Sequence, residues 1–156
     1  MDDCPLCLKI ATPPTDELVW RFPSSLAFLG PWQFHTGYCV LVSRTHAAEL
    51  FQLSRNELTS FQEEMLVLAK ALLTTFSPRK MNYEMLGNQV AHPHWHLFPR
   101  RHDDPETLKA VWLGFERAEN DSAEKSRLMA GPFSREETIA RIRAELTRQG
   151  LSESTP

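Results

Sequence analysis

The stretch QVAHPHWHLFPR, residues 89–100, carries histidines at every second position, namely His92, His94 and His96. Successive side chains of a β-strand point to opposite faces of a sheet, so this spacing predicts a strand with all three imidazoles on one face. At a rise of ~3.3 Å per residue, neighbouring histidines would lie about 6.6 Å apart. Trp95 and Leu97 would point the other way, into a core. Pro93 has no N–H to donate, which predicts an edge strand or a break in the ladder there.

Three interpretations of such a row can be distinguished by their chemistry. The simplest is a set of surface histidines, which the strict alternation with large apolar residues disfavours. Two histidines at positions i and i+2, such as His94 and His96, can instead hold one zinc ion that activates water. In the third interpretation, a neutral imidazole attacks an electrophile such as phosphorus. The stretch by itself leaves the last two open.

The composition argues against several classes of protein. A chain of 156 residues with 42% hydrophobic and 24% charged residues is predicted to form one globular domain with its own core. The net charge of −3 argues against general binding to nucleic acid or to an anionic membrane. The opening MDDCPLC has no apolar run typical of a signal peptide, and no stretch approaches the roughly 18 apolar residues of a membrane helix. We therefore expect a cytoplasmic protein without nucleic-acid or membrane partners.

The order of the predicted elements indicates an α+β fold with an antiparallel sheet flanked by helices. The apolar residues 38–42 predict a buried strand, and residues 81–100 predict two strands around the turn-forming pair Gly87-Asn88. Two capping boxes, SRNE at 54–57 and SREE at 134–137, each precede an amphipathic pattern. The first predicts a helix to about Phe76, ended by a following proline, and the second predicts a terminal helix ending near Gly150. The segment between residue 103 and the second box remains ambiguous.

The pair Cys4 and Cys7 in CPLC has the spacing with which two thiolates hold one zinc ion. Two buried thiols or a redox pair are the alternatives, although a redox pair is expected within a thioredoxin-like pattern that this region lacks. A zinc site needs two further ligands, for which His46 and His92 are candidates. Cys39, within the predicted buried strand, is more typical of a small core residue.

The residues around the three histidines resemble a known family. HPHWHLF is similar to the His-x-His-x-His-x-x motif of the histidine-triad superfamily of nucleotide hydrolases and transferases. FLGPWQFHTGYCVLVSRTHAAEL resembles the family's strand, turn and strand leading into a histidine, and NYEMLGNQV resembles its hairpin before the triad. The similarity covers residues 1–105 of a single domain spanning 1–156, and 106–156 would be a C-terminal extension with a terminal helix. The resemblance implies an antiparallel sheet, a homodimer and a small-molecule nucleotide substrate.

The resemblance also implies roles for individual residues. His94 would attack the α-phosphorus to form a nucleotidyl-histidine, and His96 would hydrogen-bond the phosphate oxygens without a catalytic metal. Asn88 falls where members carry Gln or Asn beside the scissile phosphate, and Asn82 falls near a polar residue that orients the phosphate. Family branches with an N-terminal Cys-x-x-Cys close a structural zinc site with the equivalents of His46 and His92.

Substrate contacts are expected from four further residues: Phe28, Trp32, Gln89 and Arg100. The two aromatic rings could stack on a nucleobase, although aromatic residues in strands more often belong to the core. Arg100 follows the triad, and its position beside the expected phosphate site predicts contact with a distal phosphate, with an ordinary surface role as the alternative.

Two departures from the family leave the substrate and the reaction open. Many members have Gly-His where this chain has Gly37-Tyr38, and Pro93 matches the His-Pro-His of hexose-1-phosphate uridylyltransferases. The sequence therefore favours a hydrolase or transferase acting on nucleoside phosphate derivatives such as dinucleoside polyphosphates. The alternatives are a nucleotide-binding regulatory protein with negligible turnover and a zinc-dependent hydrolase that uses His94 and His96 as ligands.

Overall fold

The computed structural model describes residues 3–155, which form a sheet of five strands with helices on both of its faces. The strands are β1 (Leu18–Arg21), β2 (Ser25–Leu29), β3 (Cys39–Ser43), β4 (Lys80–Glu84) and β5 (His94–Arg100). The α-helices are α1 (Pro5–Ala11), α2 (Arg55–Phe76), α3 (Trp112–Asn120), α4 (Ser122–Met129) and α5 (Arg135–Arg148). The strand order is β1-β2-β3-β5-β4, and every neighbouring pair is antiparallel. The predicted α+β fold is confirmed.

Both helices predicted from capping boxes are present. The Ser54 hydroxyl accepts a hydrogen bond from the Glu57 amide and the Glu57 carboxylate accepts one from the Ser54 amide, so α2 begins as expected. α2 ends at Phe76, followed by Ser77 in the left-handed region at φ 47°. Ser134 accepts from the Glu137 amide at the start of α5. None of the helices formed by residues 3–155 combines the length and apolar character that crossing a membrane requires.

One face of the sheet packs against α2 and α5 to form the main hydrophobic core. The fully buried side chains of this core come from the sheet and from both helices and include Leu29, Leu41, Leu97, Phe61, Leu68, Leu72, Ile142 and Leu146. Leu97 lies on this face and Trp95 packs against it, as the alternation in the triad stretch predicts. The apolar side chains on one face of β5 therefore hold the strand, and with it the histidines on the other face, against the core.

Among residues 3–155, the helices cover the opposite face of the sheet at its two ends. At one end, Leu6 and Ile10 of α1 pack against Phe28 and its apolar neighbours. At the other end, Phe115 of α3 packs with Phe98 of β5, in a cluster that α4 completes. The middle of this face lies between the two covered ends. That is where His94 and His96 project.

The triad strand differs from the predicted one in three ways. β5 begins at His94, so His92 precedes the strand and does not share its regular alternation. β5 lies between β3 and β4 and is therefore not an edge strand, whereas its pairing begins at His94, directly after Pro93, in agreement with the alternative of a break in the ladder. The connection from β4 to β5 spans residues 85–93, longer than a two-residue turn, although Gly87 does adopt φ +73° within it. The ambiguous segment after residue 103 forms α3 and α4.

His35, to which the sequence assigned no role, is buried in the aromatic cluster beside the sheet. Its ring lies 5.2 Å from Phe34 and 5.7 Å from Phe98, and within residues 3–155 its Nδ1 has no hydrogen-bond partner. Burial, with a smaller contribution from the positive charge of Arg100, lowers the pKa of His35 to about 4. His35 is therefore a neutral core residue at pH 7.

We predict that His35 makes stability depend on pH. The unfolded chain takes up the proton with a pKa of about 6.5, whereas the folded chain does so at about 4. The stabilisation from neutral His35 is therefore complete above pH 6.5 and is lost as the pH falls towards 4. Between pH 6 and 4.5, the free energy of unfolding of the wild type should fall by up to about 1.4 kcal/mol per pH unit relative to His35→Phe.

Urea denaturation of both proteins at several pH values measures this difference. His102→Gln, which changes an exposed histidine, is the control and should follow the wild type. A difference between wild type and His35→Phe that is constant over this range would contradict the assignment.

Candidate active site and metal centre

The uncovered part of the sheet is the floor of a cavity of about 520 Å³. Its remaining walls come from α1, from the β4–β5 connection and from the start of α3. The residues that line it include Leu6, Lys9, Phe28, Trp32, Tyr38, Val40, Asn88, Gln89, His94, His96 and Trp112. A cavity of this size is typical of a site for a small molecule.

Three residues that line the cavity, Phe28, Val40 and His96, stand in a row of cross-strand neighbours that continues to Glu84 beyond the lining. Phe28 of β2 pairs with Val40 of β3, Val40 pairs with His96 of β5, and His96 pairs with Glu84 of β4. Directly paired residues of antiparallel strands point to the same face. With strands about 4.8 Å apart, Phe28 lies two strands, or about 10 Å, from His96, and Glu84 lies one strand beyond.

His94 is fixed by a hydrogen bond to the main chain. Its Nδ1 is 2.6 Å from the carbonyl oxygen of His92, which can only accept, so Nδ1 carries the proton. A neutral imidazole with a protonated Nδ1 keeps the lone pair on Nε2. His94 is nearly buried and lines the cavity. Its second nitrogen is therefore available as a nucleophile or a ligand.

His96 is fixed by Tyr38, a residue that the sequence analysis did not select. Burial, with a smaller effect of His94, lowers the pKa of His96 to about 4, so the ring is neutral at pH 7. Burial also raises the pKa of the Tyr38 phenol, which keeps its proton. The phenol lies 2.8 Å from Nδ1 of His96. Within residues 3–155, Nδ1 of His96 is the hydrogen-bond partner of the phenol, so we assign the phenol as the donor and Nδ1 as the acceptor. The proton of the neutral His96 ring is then on Nε2.

The position of Tyr38 depends on a glycine. The Tyr38 ring stacks on Phe98, with centroids 4.1 Å apart. A Cβ atom at Gly30 would lie 2.2 Å from the Tyr38 ring, so only glycine leaves space for it. The Gly37-Tyr38 departure noted in the sequence thus places a phenol beside the third histidine.

The predicted metal ligands converge at the N-terminal end of β5. Nδ1 of His46 and Nδ1 of His92 are 3.2 Å apart, and Sγ of Cys7 lies 3.3 and 3.5 Å from these two atoms. Sγ of Cys4 is 3.6 Å from His92 Nδ1, and all four atoms lie within 4.8 Å of one another. Tetrahedral zinc, with Zn–N near 2.0–2.1 Å and Zn–S near 2.3 Å, separates two nitrogens by about 3.3 Å and nitrogen from sulfur by about 3.6 Å. The donor set and its spacing fit zinc.

The protonation of His92 also suits a ligand. Its Nε2 is 2.8 Å from the carbonyl oxygen of Ser43 and donates to it, so Nδ1 presents a lone pair to the cluster. Burial lowers the pKa of His92, which favours the neutral ring that a metal requires. His92 thereby connects the cluster to β3 through its side chain and to His94 through its carbonyl oxygen.

The other predicted site residues separate into two groups. Asn88, Gln89, Phe28 and Trp32 line the cavity, and their predicted contacts with a substrate stay predictions. The expected phosphate contact of Arg100 is wrong, because its guanidinium is buried and donates to Asp104, Asn82 and two carbonyl oxygens. Asn82 accepts one of these bonds, which places its side chain beside Arg100 and not among the residues that line the cavity.

Two further residues beside the triad were not predicted. Trp112 begins α3 and packs edge-on against His96 at 5.0 Å, and its Nε1 donates to the Glu84 carboxylate. Burial raises the pKa of Glu84. Glu84 could have been suspected only from the exact register of β4 on β5. No sequence signal placed Trp112 at the site, because it lies outside the stretch with recognisable motifs.

The chain is similar in sequence or fold to several known proteins. "Protein hit" of Bacillus subtilis (strain 168) is 25% identical over 116 residues, covering 71% of this chain and 79% of that protein. A Zn-bound histidine triad family protein from Mycobacterium smegmatis has the same fold, with a TM-score of 0.69, 17% identity and 96% of each chain covered. A hypothetical histidine triad nucleotide-binding protein from Sulfolobus tokodaii strain7 superimposes with a TM-score of 0.68 at 14% identity over 93% of each chain. The HIT domain profile matches residues 13–103, more than half of the sequence, and the chain therefore belongs to the HIT domain family.

Proposed function

We propose that the chain is a nucleotide hydrolase or nucleotidyl transferase that acts on nucleoside phosphate derivatives through a covalent nucleotidyl-histidine at His94. The observation that carries this proposal is the 2.6 Å hydrogen bond from His94 Nδ1 to the His92 carbonyl oxygen. It leaves a lone pair on Nε2 of a side chain that lines the cavity, so no separate base is needed for attack. From family membership alone, we also expect a homodimer.

The proposed reaction has two displacement steps at the α-phosphorus. First, the Nε2 lone pair forms a bond to phosphorus, and the leaving group departs with the electrons of its broken bond and takes a proton from water. In the second step, a water oxygen bonds to phosphorus and the P–N electrons return to Nε2, while the water proton passes to solvent. Another acceptor in the second step would make the chain a transferase.

The surrounding residues suit this chemistry. The Nε2–H of neutral His96 is a fixed donor for a phosphate oxygen, and a donor placed in advance stabilises charge that develops in the transition state. The side chain of Asn88 supplies a further amide at the cavity. Phe28 and Trp32 offer aromatic and apolar surface for a nucleoside. The Sulfolobus tokodaii relative is described as nucleotide-binding, which agrees with such an occupant.

The alternative of a zinc hydrolase with metal on His94 and His96 has less support. Within residues 3–155, the cluster of three or more potential ligands is Cys4, Cys7, His46 and His92, without the other two histidines. Two histidines alone are one ligand short of the three that catalytic zinc sites ordinarily use. A regulatory protein that only binds nucleotides would not need the unprotonated Nε2 that the Nδ1 hydrogen bond of His94 provides.

We predict that His94→Asn abolishes turnover of nucleoside phosphate derivatives and leaves nucleotide binding within a few fold, because the lost interaction belongs to the transition state. His96→Ala should reduce kcat by about 10²–10³, as expected when one charge-stabilising donor is removed. Wild-type protein incubated with an α-phosphate-labelled substrate should carry an acid-labile, alkali-stable label that His94→Asn lacks.

Steady-state kinetics, calorimetric titration with a nucleoside monophosphate and quenched labelling measure these three quantities. His102→Ala, at an exposed position outside the cavity, serves as control and should behave as wild type. Wild-type turnover by His94→Asn would rule out covalent catalysis at this residue.

We further propose that Cys4, Cys7, His46 and His92 bind a structural zinc ion. The ligand spacing supports this, as does the Zn-bound relative from Mycobacterium smegmatis. When bound, zinc would supply a crosslink between α1 and the sheet and no chemistry on the substrate. The N-terminal residues that it would hold include Leu6 and Lys9, which form one wall of the cavity.

We predict one zinc ion per chain, measured by elemental mass spectrometry of metal-replete protein. Cys4→Ser should lose the metal and lower the melting temperature by more than about 5 °C, because metal binding contributes directly to folding. Cys39→Ala, which alters the buried cysteine outside the cluster, should retain the metal. Full zinc retention by Cys4→Ser would contradict the site.

A further inference from the structure

Lys9 is a charged residue of the cavity to which the proposed reaction gives no role. Within residues 3–155, it is the one lysine or arginine among the lining residues. It lies on α1, whose side chains Leu6 and Ile10 pack around Phe28 at the β2 end of the sheet. Phe28 is two strands, or about 10 Å, from His96. The ammonium group is therefore at the end of the cavity that offers surface to a nucleoside, and not beside the triad histidines.

Two contacts hold the Lys9 side chain over this end. Its Nζ lies 4.7 Å from the centroid of the Phe28 ring, a distance at which the ring face attracts a cation. Nζ also pairs with the Glu17 carboxylate, which is not among the lining residues and so holds the ammonium group from outside the cavity. Phe28 itself is 1% exposed. A nucleobase that enters this end therefore meets the ammonium group beside the covered ring.

The surroundings of the ammonium group at this end are apolar. Leu6 and Val42 belong to the same apolar cluster as Phe28 and also line the cavity. A polar edge of a base placed here loses contact with water, and a polar group left without a partner costs free energy. The Lys9 ammonium group has three N–H donors and no acceptor. Since one donor is directed to Glu17, a bound base is expected to present acceptors to the other two.

Purine bases differ in what they present to such a group. Guanine carries two neighbouring acceptors, O6 and N7, and hypoxanthine shares this edge. Adenine carries the N7 acceptor beside the N6 amino group, which is a donor. Pairing of a lysine with O6 and N7 of guanine is a common way in which proteins distinguish the two bases. An ammonium group held in apolar surroundings therefore favours an oxygen at position 6 of the purine and disfavours an amino group there.

We propose that Lys9 determines base specificity and selects 6-oxopurine nucleotides, such as those of guanine and hypoxanthine, over adenine nucleotides by donating to O6 and N7. This inference rests on the proposed function, because it assumes a nucleoside phosphate in the same cavity with its phosphorus at His94. Lys9 contacts the substrate, and Glu17 acts as a positioning residue. The selection takes place on binding, so the bonds formed and broken at phosphorus are those of the two displacement steps.

Calorimetric titration of metal-replete protein with four nucleoside monophosphates tests the inference. Guanosine and inosine 5′-monophosphate carry both acceptors, 7-deazaguanosine 5′-monophosphate lacks N7, and adenosine 5′-monophosphate has the amino group at position 6. Lys9→Met removes the ammonium group and keeps an unbranched side chain, whereas Lys9→Arg keeps the donors. Glu17→Gln removes the charge that holds Lys9. Lys70→Met, at an exposed position of α2 outside the cavity lining, is the matched control.

The wild type should bind guanosine and inosine monophosphate about tenfold more tightly than adenosine monophosphate, the scale of one such base contact. The 7-deaza analogue should bind with a Kd between these values. Lys9→Met should bring the ratio of the Kd values for adenosine and guanosine monophosphate close to one, whereas Lys9→Arg should keep most of the preference. Glu17→Gln should give an intermediate ratio, and Lys70→Met should keep the ratio of the wild type.

Three results would overturn the inference. The first is a wild type that binds all four monophosphates equally or binds none of them. The second is a ratio that Lys9→Met leaves at the wild-type value. The third is a loss of affinity in Lys9→Met by the same factor for all four ligands, because the ammonium group would then contact the phosphate and not the base.

Turnover separates the base selection from the proposed reaction. If the wild type turns over no nucleoside phosphate derivative and the Lys9-dependent ratio is still found, the reaction is wrong and the base selection stands. If turnover is found and the ratio is close to one in both the wild type and Lys9→Met, the reaction stands and the base selection is wrong.

Discussion

The hydrogen bond from Nδ1 of His94 to the carbonyl oxygen of His92 is the constraint on which the site depends. It selects one of the two neutral tautomers of the ring, and so determines that Nδ1 carries the proton and Nε2 the lone pair. The bond holds only if the residue that supplies the carbonyl is itself immobile. His92 meets this requirement, because its Nε2 donates to Ser43 and its Nδ1 lies among the predicted zinc ligands. The four proposed zinc ligands and the proposed nucleophile are therefore connected through a single residue.

One face of the sheet packs into the main hydrophobic core, and the other face carries the candidate site. Leu97 and Trp95 face the core with α2 and α5, while His94 and His96 face a region that α1 and α3 leave partly uncovered. On that open face the two histidines are held by different partners, one by a main-chain carbonyl and the other by the Tyr38 phenol. These partners favour opposite tautomers. One imidazole then presents a lone pair and its neighbour an N–H, which is the combination that attack at an anionic phosphorus requires.

The sequence allowed the local features to be predicted because each depends on few residues. The capping boxes located both predicted helices, the histidine spacing located the site, and Cys-x-x-Cys indicated the metal cluster. Features that depend on distant partners were not accessible in this way. Arg100 follows the triad but turns into a buried pair with Asp104, and Asn82 supports it. Trp112 reaches His96 only because α3 packs across the end of the sheet, and no pattern in its own segment indicates that contact.

The tautomers of the two histidines test the central claim most directly. Long-range proton–nitrogen correlation spectra of protein with nitrogen-15 in its histidine rings distinguish a protonated from an unprotonated ring nitrogen at neutral pH. The structure requires the proton on Nδ1 of His94 and on Nε2 of His96. In Tyr38→Phe, His94 should keep this tautomer, whereas His96 should populate both tautomers. A His94 ring protonated on Nε2, with its lone pair on Nδ1, would contradict the account, because the nitrogen that faces the cavity could then no longer attack.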